Sequence, residues 1–458
     1  MFGVRHLSRR LRAGLVASKP RPPSLPRRLS TASFKTLDPS QRVEEEALSW
    51  YNPQAFYPVR IGEVLQSRYQ VIGKLGYGAY STVWLCRDLV QHRYVTIKVC
   101  TRNAIPVKRE LAALQHLDSL PKTRHIGRTL VRTLLDQFVL TSEPAASTDS
   151  QSPGTDPDPT PPQLFQCLVH KPLLMSLFTF RNGNKLPEDF LKLVLQHVLL
   201  ALDYLHSEAK LIHTDINENN ILLDLDDIIT ALEAFEEAER TSPVARKDAG
   251  DRTIYLSRKI VTASANYGRP VLCDFGEARF GSATYTDPIQ PFQYRAPEVI
   301  LGAPWDEKVD IWTVGVMIWD MFEDRNMFKV TGGPDKKVDD LYHLAHMVAL
   351  LGPPPVDLLQ RGTMDDIGRY FDAQGKGFLY RSFRVLPHRL VWVCVSGNWV
   401  GATSLPDDSL EQSERNLEGE DKALFLAFVR KMVRWKPEER CSANELLDDP
   451  WLNKFEAS

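Results

Sequence analysis

The 458-residue chain has no uninterrupted apolar run of the roughly 18 residues that a membrane helix needs. Its most apolar stretch, Ile311 to Phe322, is closed by charge at Asp310 and Glu323, so no membrane span is expected. Cysteine is sparse. The six residues, Cys86, Cys100, Cys167, Cys273, Cys394 and Cys441, form no C-x-x-C pair. That scatter suits reduced, buried thiols better than a disulfide frame or a zinc site. A marked net charge is also missing: the formal value is −2, and no direct nucleic-acid partner is expected. What is present is ordinary for a soluble globular protein, 43% apolar and 25% charged. The length admits two or three average domains, or one bilobal enzyme of about 350 residues.

Acid is absent from residues 1–37, which hold Arg5, Arg9, Arg10, Arg12, Lys19, Arg21, Arg27, Arg28 and Lys35. Without those nine, 47 basic residues face 58 acidic ones, a net charge of −11. Such a body favours basic substrates by long-range steering, although many solvated surfaces are as acidic. Val4, Leu7, Leu11 and Leu15 recur at helical spacing, while Arg5, Arg9 and Arg12 fall on another face. An Arg-rich, acid-free amphipathic N-terminus resembles a mitochondrial transit peptide. Arg27-Arg28-Leu29-Ser30-Thr31 resembles a matrix-processing site with cleavage near Leu29. The alternatives are a disordered basic tail, a nuclear localisation patch, or a site for a basophilic kinase. On each reading the leader lies outside the fold.

Two interruptions divide the rest. Residues 141–163 are rich in Pro, Ser, Thr and Asp and read as a flexible insertion. The second interruption, 226–267, mixes an acidic helical stretch with charged loop. Before the first, β-type runs dominate at Tyr69–Lys74, Thr82–Arg87, Arg93–Cys100 and Leu130–Thr141. After it, helical spacing takes over, as at Phe190, Val194, Val198, Leu202 and Leu205. A β-rich half followed by an α-rich half predicts an α+β fold in two lobes.

The chemistry starts at Leu75-Gly76-Tyr77-Gly78-Ala79-Tyr80-Ser81-Thr82-Val83. Two glycines between β-runs allow a tight hairpin whose N–H groups approach phosphates. Lys98 lies inside the apolar run Val95–Val99, where an unpaired ammonium is costly. Glu110, in the helical run Val107–Leu117, is the available anion. His213-Thr214-Asp215 supplies a carboxylate able to accept a hydroxyl proton, and Asn220 an amide oxygen five residues on. Asp274-Phe275-Gly276 ends another short apolar strand. Asp274 and Asn220 suit Mg2+, a hard cation that takes oxygen ligands, with phosphate oxygens completing the shell.

Together with Ala296-Pro297-Glu298, Asp310-x-Trp312-x-x-Gly315 and Arg440, these motifs resemble the eukaryotic protein kinases over about residues 69–453. A narrower resemblance is to the SR-protein kinases, especially fungal ones. It rests on Tyr57-Pro58-Val59-Arg60-Ile61-Gly62-Glu63, Ser81-Thr82-Val83-Trp84-Leu85, Gln293-Tyr294-Arg295 and Leu350-Leu351-Gly352-Pro353-Pro354. The resemblance implies a bilobal fold. Its N-lobe, 69–172, and C-lobe, 173–453, follow an N-terminal extension at 38–68 and precede a tail at 454–458. It implies ATP under Leu75, Gly76, Tyr77, Gly78, Ser81 and Val83. Lys98, held by Glu110, meets the phosphates, and Asp274 and Asn220 hold magnesium. Asp215 takes the substrate proton, adenine binds the backbone near Lys171–Leu173, and His170 stands at the back of the pocket. It implies serine/threonine phosphorylation of Arg/Ser-rich or basic proteins, by a monomer of cytoplasm and nucleus, against the mitochondrial address of the leader. Glu298, Arg440 and Asp310 read as scaffold.

The departures lie beside the reacting groups. Thr214 replaces the arginine that reads a phosphorylated activation segment, so activity without activating phosphorylation is expected. Thr96 adds a hydroxyl beside the adenine. Asn217 replaces the lysine that meets the γ-phosphate, and Pro291 the threonine that bonds to that lysine and to the catalytic aspartate. These last two motivate the alternative of a pseudokinase scaffold. Residues 378–399 form an apolar patch to which no function is assigned.

Overall fold

The computed structural model describes residues 22–29, 33–142, 162–225, 227–262, 268–281, 283–328, 336–363, 367–368, 370–371, 380–381, 392–393, 399, 401 and 403–455. The amphipathic part of the leader, most of the 141–163 insertion, most of the 378–399 patch and the end of the tail lie outside these residues.

Six antiparallel strands form one sheet: β1 (Val64–Leu65), β2 (Tyr69–Gly78), β3 (Ser81–Asp88), β4 (Arg93–Cys100), β5 (Asp136–Ser142) and β6 (Gln163–His170). Their spatial order is β1-β2-β3-β4-β6-β5. Register decides which side chains share a face, since cross-strand partners point the same way. Val83 pairs with Lys98, Thr96 with His170, and Lys98 with Leu168. The opposite face carries Val71, Trp84, Cys86, Val95, Ile97, Val99, Cys167 and Val169, which form a buried cluster of their own. One strand starts later than its sequence suggests. Leu130, expected to open a strand, instead ends the 3-10 turn Ile126–Leu130, and β5 begins only at Asp136. The turn packs so closely that a Cβ on Gly127 would stand 1.9 Å from the Leu200 carbonyl oxygen.

Helix α1 (Ile105–Ser119) carries Glu110, while α2 (Leu177–Arg181) and α3 (Glu188–Tyr204) open the helical lobe. Short strands β7 (Leu211–Ile212) and β8 (Ile221–Leu223) flank the Asp215 loop. Helix α4 (Ile228–Thr241) and the hairpin β9 (Arg246–Asp248) and β10 (Thr253–Tyr255) make up the second insertion. Strands β11 (Pro270–Leu272) and β12 (Arg279–Phe280), then α5 (Pro297–Ile300) and α6 (Lys308–Glu323), lead into the C-lobe core. In α6 nearly every residue is buried, including Asp310, because other elements pack around the whole helix.

The insertion does not stay in the lobe that contains it. Phe235, Leu232 and Ile228 of α4 pack with Ile72, Leu85 and Tyr94 of the sheet. A Cβ on Gly73 would lie 2.9 Å from the Phe235 ring, so glycine in β2 is what lets α4 come this close. Tyr255 stacks edge-on to Trp84 with centroids 5.8 Å apart.

The described part of the leader corrects the expectation that 1–37 lies outside the fold. Ser24 donates its N–H to the Leu89 carbonyl at 2.8 Å. Arg27 exchanges two backbone hydrogen bonds with the Gln70 side chain. Leu37 donates to the Arg246 carbonyl at 2.9 Å. Extended segments carry unpaired N–H and C=O groups, and here strand edges and side chains satisfy them.

Candidate active site

The face of the sheet carrying Val83, Thr96, Lys98 and His170 roofs a cleft of about 540 Å3 between the lobes. Leu75, Gly76, Tyr77, Gly78, Ser81, Glu110, Leu173, Asn220 and Asp274 also line it. The β2–β3 hairpin closes at the Gly78–Ser81 pair. A Cβ built on Gly76 meets nothing within 4 Å. The protein's own packing therefore does not demand glycine there, whereas a ligand drawn against the backbone does.

Lys98 donates to Glu110 Oε2 at 2.7 Å and to Asp274 Oδ2 at 3.4 Å. Burial by itself disfavours the ammonium, but the carboxylates of Asp274 and Glu110 outweigh it, so the Lys98 pKa is raised. The same ammonium, more than any other group, holds Asp274 below the usual carboxylate range. Asp274 sits at φ +62°, a left-handed conformation that aspartate tolerates better than most residues, and accepts from the Gly276 N–H at 3.1 Å.

Asp215 is held from two sides. Asn220 Nδ2 donates to its Oδ2 at 2.9 Å, and Asn217 Nδ2 donates to its Oδ1 at 3.2 Å. Burial raises the Asp215 pKa against these donors. Asn217 thus supports the Asp215 carboxylate directly, a contact its sequence position did not reveal. His170 is 1% exposed. Its Nδ1 lies 2.8 Å from the Thr133 carbonyl, which can only accept, so that nitrogen carries the proton. Burial keeps the ring neutral.

The profile of the protein kinase domain matches residues 69–452. The chain belongs to the protein kinase family. It is 44% identical over 435 residues to a serine/threonine protein kinase of Aspergillus fumigatus, covering 94% of this chain and 96% of that one. A serine/threonine-protein kinase SRPK of Physarum polycephalum is 28% identical, with 89% and 91% covered. Human SRSF protein kinase 3 is 24% identical, with 90% and 91% covered. The protein is an ATP-dependent serine/threonine protein kinase.

In this kinase the scaffold residues are fully enclosed. Glu298 and Arg440 form two 2.6 Å hydrogen bonds with both side chains at 0% exposure. Asp310 accepts from the His213 and Thr214 N–H groups, both at 2.8 Å, and so fixes the loop that carries Asp215. Thr214 hydrogen-bonds through Oγ1 to the Glu277 carbonyl at 2.6 Å, tying that loop to the activation segment.

Among the described residues no cluster of three or more His, Cys, Asp or Glu is arranged to hold a metal. The donor set that fits a kinase's divalent ion is smaller. The Asn220 amide nitrogen is committed to Asp215, which leaves Oδ1 free as a ligand, and Asp274 offers its carboxylate.

Sequence reading missed several lining residues. Arg132, Leu174 and Met175 join the cleft, as do Arg258, Lys259 and Ile260 of the second insertion. Loop residues outside any motif give no signal of where they pack.

Proposed function

We propose that this kinase phosphorylates serines or threonines flanked by basic, arginine-type side chains, using a divalent ion such as Mg2+ bound by Asp274 and Asn220. One observation carries the substrate reading. A polar pocket of about 490 Å3 adjoins the catalytic loop at Asn217 and Asn219 and the activation segment at Pro291. Asp320 lines it, is 7% exposed, and leaves Oδ1 without a hydrogen-bond partner among the described residues. Burial pushes its pKa up to about 7. The neighbouring Glu218 and Asp324 are already neutralised by Arg181, at 2.9 Å each. Tyr294 and the Met327 backbone hydrogen-bond to this carboxyl, but among the described residues no cation pairs with its free Oδ1, and a guanidinium both pairs with it and lies flat against the exposed Phe178 ring of the same pocket. The relatives named SRPK and SRSF protein kinase agree in direction.

The test is γ-labelled ATP transfer by the full chain to an Arg-Ser repeat peptide, a generic basic protein and a charge-neutral serine peptide, with Asp215→Asn as control. Asp215-dependent transfer with preference for the arginine peptide is expected. Equal kcat/KM on the neutral peptide would sink the substrate reading alone. The mitochondrial address of the leader is a separate proposal. It is checked by fusing residues 1–40 to a fluorescent reporter, and a diffuse or nuclear signal overturns it.

A further inference from the structure

Three residues of the second insertion reach the nucleotide cleft, and two of them are firmly anchored. The Arg258 N–H donates to the Lys74 carbonyl at 2.9 Å, one residue before Leu75 in β2. Its guanidinium is held by Glu239 of α4 and by the Ser242 carbonyl. Ile260 is 3% exposed and packs in the cluster that holds Ile72 and Leu174. Lys259 lies between these anchors. It lines the cleft, is exposed, and has no hydrogen bond or ion pair to any described residue. Arg258, by contrast, is neutralised by Glu239.

The position of this strap selects what Lys259 can meet. The phosphate end of the cleft is marked by the glycine hairpin and by Lys98 and Asp274, which pair with each other. The strap borders Leu75, Leu174 and Met175, at the end where the base slot opens. A base seated there leaves its sugar, which carries two hydroxyl groups, at that opening. An ammonium has three donors and no acceptor, and hydroxyl oxygens accept.

We propose that Lys259 is a nucleotide-binding residue that donates to a ribose hydroxyl oxygen of ATP, so that the insertion supplies part of the nucleotide site. The inference rests on the ATP reading of this cleft. The test uses the full chain and its Lys259→Ala, Lys259→Met and Lys259→Arg variants, with dissociation constants for Mg-ATP, Mg-2′-deoxy-ATP and Mg-3′-deoxy-ATP. Both shortened variants are expected to bind ATP on the order of tenfold more weakly, the effect of losing a charged hydrogen bond, with the loss carried mainly by KM for ATP. The deoxy analogue lacking the contacted hydroxyl is expected to bind wild type and Lys259→Ala alike, and Lys259→Arg to recover most of the affinity. Unchanged ATP affinity in Ala and Met variants of unaltered thermal midpoint overturns the proposal. So does an equal loss for ATP and both deoxy analogues, which places the ammonium on the phosphates. Wild-type protein that binds no Mg-ATP sinks the ATP reading itself and the inference with it, an outcome visible before any variant is measured.

Discussion

Asn217 occupies a position where the family's Ser/Thr members are expected to carry lysine, and its amide reaches the Asp215 carboxylate. The bond to Asp215 Oδ1 at 3.2 Å keeps one oxygen oriented while Asn220 fixes the other. Asn217→Ala removes one of the two orienting donors, and kcat is expected to fall by about 10- to 100-fold, the usual range for a positioned polar group. Steady-state kinetics check this: KM for ATP moves little, and Asp215→Asn loses far more. Asp320 makes a second claim at this scale. With its pKa raised by burial to about 7, the pocket is largely neutral at pH 6 and anionic at pH 8. The kcat/KM for an arginine-bearing peptide is therefore expected to rise with pH through about 7 and to level off above it. Asp320→Asn should flatten that rise. The linkage runs the other way for stability. A carboxyl whose folded pKa is raised contributes stability below its unfolded value near 3.8, and that contribution is lost as pH rises towards 7. Asp320→Asn should accordingly raise the thermal midpoint at pH 8 and change it little at pH 5. Lys98, Glu110, Asp215, Asn220 and Asp274 were legible because their chemistry is written in short motifs. Asp320 and Asn217 were not, because nothing local marks a carboxylate with one oxygen left unpaired or an amide that bonds to a neighbouring carboxylate.

The elements show where patterning suffices and where it fails. Strands β2 to β4 and helix α3 follow from period-two and period-3.6 spacing, since each buries a face the sequence marks as apolar. The docking of α4 on β2 is not marked. Its acidic surface includes Glu236 and Glu239, which are 5% and 2% exposed, and these carboxylates meet Arg87 and Arg258 rather than water. A charge run that reads as a solvated helix is here an interface. The same holds for the 3-10 turn Glu44–Ala47, whose Glu45 closes on Lys74 while Glu44 lies 3.4 Å from the same ammonium. Lys74 is 1% exposed and stands immediately before the glycine hairpin. Removing Glu45 leaves the buried ammonium with only the longer Glu44 contact, and breaking a buried pair typically costs up to about 3–5 kcal/mol. Glu45→Ala is therefore expected to lower the thermal midpoint clearly, whereas Glu45→Leu with Lys74→Met should recover most of the loss. A double variant as unstable as the single one would show that the ion pair is not the source of the effect.

At the scale of the whole molecule, the two lobes were predictable, but the N-terminal segment and the insertion that brace the upper lobe were not. Their contacts join residues far apart in sequence, such as Lys247 with Glu46 and Arg252 with the Phe56 carbonyl, and no local pattern encodes such pairs. The same long-range wiring bears on how the enzyme is switched. Thr214 adopts φ +66°, an uncommon and strained choice for a β-branched residue, and its hydroxyl holds the Glu277 carbonyl at 2.6 Å. The activation segment is then carried onward by Arg279 on Asp287 at 2.7 Å and by the Trp305 indole donating to the Asp287 carbonyl at 2.9 Å. Gln290 completes the path, donating to Thr313 at 2.7 Å and accepting from the Ala296 N–H at 2.9 Å. The chain carries threonine rather than arginine at position 214, so this loop lacks the guanidinium with which to read a phosphorylated activation segment. Protein treated with a broad phosphatase, with phosphate-free mass confirmed by intact-protein mass spectrometry, is therefore expected to keep its full kcat. Thr214→Ala keeps the strained backbone and removes the tether. It should lower kcat several-fold, about the effect of losing a hydrogen bond worth roughly 1 kcal/mol, and speed proteolysis within residues 277–290. A dephosphorylated enzyme that is inactive until re-phosphorylated would instead show that this set of bonds forms only after modification, and that the neutral tether at Thr214 does not hold the segment by itself.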